Sequence, residues 1–107
     1  MSVVRINKQV ALTVVAQQIH VAHFQRHCTL KNVHICNVTA GDVAVRVCIL
    51  APGGSFAQPS ALLWDFTIPG NDFLEFGEGL TLLPEYSLEA AAAADDSIVL
   101  TLAGLEE

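Results

Sequence analysis

A chain of 107 residues is the size of one domain, long enough to bury a core without disulfide staples. Eleven acidic residues against five basic ones give a net charge of −6, and the five cations, Arg5, Lys8, Arg26, Lys31 and Arg46, lie scattered before residue 50. That distribution excludes the clustered cations a phosphate backbone demands, so direct nucleic-acid binding and attraction to an anionic membrane are not expected.

Charged residues make up 15% of the chain, well under the ordinary share of about 25%, while 52% are hydrophobic. So few charges leave apolar surface over, and a partner is expected to cover part of it. The three cysteines, Cys28, Cys36 and Cys48, follow no recognisable secretory leader, and no apolar run approaches the length of a membrane span. Free thiols serving as small hydrophobes in a reducing cytoplasm are the expectation.

In chain order, residues 1–9 form an arm or a first edge strand, and the β-branched run at 10–16 is strand-like. Residues 17–26 are ambiguous. As a helix they would place His20, His23 and His27 on one face, but the valines and the missing cap favour a strand with Ile19 and Val21 inward. A strand at 30–37 precedes a hairpin connection at 37–42 and a second strand at 43–50, whose apolar residues at 43, 45, 47 and 49 repeat with a period of two. The longest loop, from Ala51 to Pro59, carries Phe56 near its tip, where it is expected to meet a partner.

Residues 61–68 alternate Leu62, Trp64, Phe66 and Ile68 against Leu63, Asp65 and Thr67, which places Trp64 in the core. After the turn at 69–72 come short strands at 73–76 and 80–83, separated by Gly77 and Gly79. A strand at 86–92 runs into the alanines at 90–94, too few for an isolated helix, whose small side chains would let a neighbouring sheet approach closely. Asp95, Asp96 and Ser97 turn the chain into a last strand from Ile98 to about Leu105. Seven or eight short strands at this spacing predict an all-β, antiparallel β-sandwich of jelly-roll type in one domain spanning residues 10–107.

Chemistry is sparse. His20, His23, His27, Cys28, His34 and Cys36 are side chains zinc accepts, yet their spacing fits no finger or HExxH pattern, and His20 and His34 should point away from the face of Ile19 and Ile35. They are read as surface or interface imidazoles. His27 and Cys28 are strand neighbours on opposite faces, which argues against a thiolate–imidazole pair. Glu75, Glu78, Glu85 and Glu89 are read as solvated groups rather than a glycosidase pair. Gly77 and Gly79 lack the helix of a phosphate loop, and Gly53, Gly54 and Ser55 lack that of a nucleophile elbow. No catalytic, cofactor-binding or metal-ligating residue is therefore expected, and no enzyme activity.

One ordered series of motifs carries a resemblance. The strand at 30–37 ending in Asn37, the strand at 43–49, Ile68-Pro69-Gly70, Leu82-Leu83-Pro84, the alanine-rich strand and the closing strand ending Gly104-Leu105-Glu106 follow one another in a fixed order. In this order, over residues 19–106, the chain resembles small structural proteins of tailed-bacteriophage virions. It departs from their pattern at Glu85 and Tyr86, where Gly-Asp is usual, and in its histidine-rich segment. The resemblance implies a β-sandwich without catalysis on a capsid shell, neck, tail or baseplate. A capsid cement, or decoration, protein is the favoured form, with the major capsid protein as partner, a homo-oligomer such as a trimer as its state, and the virion, assembled in the host cytoplasm, as its location. A neck, tail or baseplate subunit is the runner-up. A carbohydrate-binding module or a small metal-binding jelly roll is more remote.

Overall fold

The computed structural model describes residues 3–107, so the first two residues of the expected arm lie outside the described residues. Two antiparallel sheets face each other across the core. One holds β1 (Val4–Ala11), β9 (Ile98–Glu106), β3 (Cys28–Asn37) and β6 (Phe73–Phe76) in that order, with the two-residue β7 (Thr81–Leu82) also paired to β3. The other holds β2 (Gln17–Val21), β8 (Ser87–Ala92), β4 (Val43–Leu50) and β5 (Ala61–Ile68). The links β1–β2, β2–β3, β3–β4, β5–β6, β7–β8 and β8–β9 each cross from one sheet to the other, so the connection at 37–42 joins the two sheets and is not the expected hairpin. That winding is a jelly roll.

Period-two patterning places the core. Val43, Val45 and Val47 of β4 and Ile98, Leu100 and Leu102 of β9 point inward, where they meet Leu30, Val33, Ile35, Leu82 and Leu88 with almost no exposure. The chain covers this slab by pairing β1 to β9 in unbroken register from Val4 opposite Glu106 to Ala11 opposite Val99. Residues 4–11 are therefore one continuous edge strand, and the strand expected at 10–16 ends at Ala11.

Register shifts in three strands break the simple alternation. In β3 the register against β9 shifts between Leu30 and Asn32, so the inward set changes from Cys28 and Leu30 to Val33, Ile35 and Asn37. In β2 the shift between Gln18 and His20 buries both Ile19 and His20 and leaves Val21 exposed, which corrects the expected outward His20 and inward Val21. In β5 the register against β4 slips twice, and Asp65 takes a left-handed backbone (φ 54°). Trp64 is consequently half-buried outside the main core, and Phe66 is exposed, so the expected core tryptophan is corrected.

Buried polar bonds lock the turns at one end. Asn37, fully buried, donates from Nδ2 to Gly41 O (2.8 Å) and Ile68 O (2.9 Å), and its Oδ1 accepts from Thr39 N (2.9 Å) and Thr39 Oγ1 (2.7 Å). Gly70 lies against this turn so closely that a Cβ would fall 2.1 Å from Ala40 O. The loop after β4, with a 3-10 turn at Gln58–Ser60, folds over the outer face of its sheet and buries Cys48, whose Sγ lies 3.6 Å from Ala57 O.

Candidate functional site

Three titratable side chains from three strands converge at the end of the sandwich opposite Asn37. The β2 bulge turns His20 inward from one sheet. Cys28 opens β3 and Glu106 closes β9 in the other, and their Cα atoms are register partners. Glu106 stands in phase with Ile98, Leu100, Leu102 and Gly104, which carries its carboxylate to the inner face. All three residues are buried, and their ligand-type atoms lie within 4.8 Å of one another.

The electrostatics of this cluster follow from burial. His20 Nε2 lies 3.0 Å from Glu106 Oε1, and the His23 backbone N–H donates to the same oxygen at 3.2 Å. The other ring nitrogen, Nδ1, is buried with no hydrogen-bond partner among the described residues. Burial pushes the Cys28 thiol up to about 11; the Glu106 carboxylate adds to the rise, and Lys8 partly offsets it. A closed, protonated thiol is a poor nucleophile, so acyl-transfer chemistry does not suit this cluster.

The remaining donors disperse. His23 is exposed with its ring 4.6 Å from that of Phe24, and exposed His27 exchanges backbone hydrogen bonds with Glu107. His34 lies on the outer face as expected, its Nδ1 3.3 Å from Glu75 Oε2 and its ring stacked at 5.0 Å on Phe73. Hydrogen bonds from Asn32 and His34 hold the Glu75 carboxyl below the usual range. Glu78, Glu85 and Glu89 occupy a turn, a left-handed turn position (φ 68°) and β8 respectively. Gly77 and Gly79, at φ 91° and 82°, form the bend between β6 and β7.

A second feature lies on the outer face of the β2–β8–β4–β5 sheet. The small side chains of Ala44, Ala91 and Ala93 floor a hollow of about 320 Å³, walled by Val14, Phe56 and the Arg46–Asp65 pair. Arg46 grips Asp65 in bidentate fashion (2.6 and 3.1 Å), and this bond lowers the Asp65 carboxyl. The Arg46 guanidinium also sits 4.1 Å from the Trp64 ring centre, while Phe56 packs 5.9 Å from the same ring. Phe56 is thus half-buried against Trp64 rather than freely presented at a loop tip.

Of the six donors singled out in the sequence, the structure unites His20 with Cys28 and supplies Glu106, which sequence reasoning missed. The available signal was an acidic side chain in phase with a buried row. No family model matches the chain, and no curated protein or solved structure matches it either.

Proposed function

We propose that this chain is a non-enzymatic structural subunit of a tailed-bacteriophage virion, acting as a capsid cement protein that binds across neighbouring major capsid subunits. Large hydrophobic side chains displayed outside a filled core are the observation that carries the reading: Val15 is 70% exposed, Phe24 59% and Phe73 55%, with Val14 and Leu83 also bare. Apolar groups that a domain of this size leaves in water are suited to a partner's surface. The motif series supports the same reading, because its pieces fall on β3, β4, the Pro69–Gly70 turn, β8 and β9.

Enclosure of Trp64 by Arg46 and Phe56 weighs against a sugar-binding platform, which needs a free aromatic face. Many weak contacts repeated over a shell would hold the subunit by avidity, as a closed homo-oligomer such as a trimer.

The test is quantitative mass spectrometry of purified particles together with thermal melting of DNA-filled heads. A cement protein follows the heads in copy numbers on the order of hundreds and raises their melting temperature. A complement of about a dozen copies, confined to tails, would replace this reading with the neck or tail one. Absence from particles would refute both.

A further inference from the structure

We propose that His20, Cys28 and Glu106 form a binding site for one divalent transition-metal ion of the zinc class, clamping the two sheets together at the end opposite Asn37. A thiol, an imidazole and a carboxylate are the three side-chain types that zinc takes, and here each comes from a different strand. Zinc bonds of about 2.0–2.3 Å put ligand atoms roughly 3.3–3.8 Å apart around a tetrahedron. With donor atoms no more than 4.8 Å from one another, the cluster needs only side-chain adjustments to contract onto an ion.

Two further observations point to an occupant. His20 Nδ1 is a buried ring nitrogen with no hydrogen-bond partner among the described residues, a state that buried ring nitrogens seldom keep. Charge also closes. Binding releases the Cys28 proton to solvent, and the resulting thiolate and the Glu106 carboxylate then neutralise the dication, leaving no net charge in the interior. The His23 backbone N–H on Glu106 would orient the carboxylate from outside the ligand shell. Three protein donors leave one position of the four for a solvent molecule. An ion here would tie β2 of one sheet to β3 and β9 of the other.

The experiment uses the full chain stripped with chelator, then titrated with Co²⁺ under reducing conditions and, separately, with Zn²⁺. Saturation at one equivalent of Co²⁺ is expected, with a thiolate-to-cobalt charge-transfer band and tetrahedral ligand-field bands. Zinc in excess should raise the melting temperature by about 10 °C or more. Cys28→Ser should lose the charge-transfer band. The double variant Cys36→Ser, Cys48→Ala, in which Cys28 is the remaining thiol, should keep it, so the site stays testable even where Cys28→Ser fails to fold. Binding well below one equivalent, a wild-type spectrum without the thiolate band, or loss of the band in the double variant would each overturn the site. None of these readings depends on whether the chain belongs to a virion.

Discussion

Replacing Asn37 with alanine should cost about 3 kcal/mol. The side chain uses its full capacity: both Nδ2 protons go to carbonyls, and Oδ1 takes the Thr39 N–H and hydroxyl. Water can replace the partners of Thr39 and Gly41 near the turn surface, but Ile68 O sits in a buried bond and would be left unpaired. A lost neutral hydrogen bond removes about 1 kcal/mol net and a stranded buried group about 1–3, which together give the figure above. At about 2.1 cal/mol/K of unfolding entropy per residue, a chain of 107 residues loses roughly 4–5 °C per kcal/mol, so the variant should melt roughly 13 °C lower. Urea unfolding followed by the fluorescence of the single tryptophan, with calorimetry beside it, measures both numbers.

Asn37→Asp sharpens the test, because a carboxylate would face Gly41 O and Ile68 O. The folded protein would hold the proton more tightly than the unfolded chain, raising the folded pKa above about 3.9. Stability of Asn37→Asp should therefore fall as pH rises from about 4 through the raised folded pKa, then level off. A loss below about 1 kcal/mol in Asn37→Ala, or an Asn37→Asp variant indifferent to pH over that range, would refute the reasoning.

Gly70→Ala should destabilise by about 1–3 kcal/mol, since its Cβ would collide with Ala40 O and push two turns apart; unchanged melting would contradict the close approach. Leu102→Ala, fully buried, should lose about 2–5 kcal/mol in urea unfolding, whereas Val15→Ser should stay within about 0.5. In the metal-free protein, a thiol reagent should label Cys36 in the native state and Cys28 and Cys48 only on unfolding. The Cys28 thiol, raised from its ordinary 9.0 to about 11, gives stability that is whole below the lower value and is lost as pH climbs towards the upper one, visible as alkaline loss of melting temperature. Asp65 and Glu75, both lowered, act in the opposite sense: their contribution is present above the ordinary carboxylate range and disappears as pH falls from there through the lowered folded values, more weakly in high salt.

The layers of this fold were legible wherever side chains alternate without interruption. Val43, Val45 and Val47 and the row from Ile98 to Leu102 fall on the inner faces that their spacing predicts. The alanine run, expected to let a neighbouring sheet approach, instead divides between the two faces: Ala90 and Ala92 join the core, while Ala91 and Ala93 floor the outer hollow. Bulges were not legible, because one extra residue reverses every later side chain without leaving a mark in composition. The bulge at Gln18–His20 turned His20 inward, and the slips along β5 moved Trp64 out of the core to the Arg46 side. One member of the His20–Cys28–Glu106 cluster depended on such a bulge, and its third lay 78 residues further along the chain from Cys28, a pairing that only topology supplies.

The pairing of Val4 with Glu106 has a practical consequence for anyone attaching cargo. Sequence added before the first strand and sequence added after the last would emerge side by side from the same pole of the 45 Å body, leaving the Asn37 turns at the far tip untouched. Tags on either side would crowd the same neighbour, and a short bridge between them would permit reopening of the chain at a distant loop.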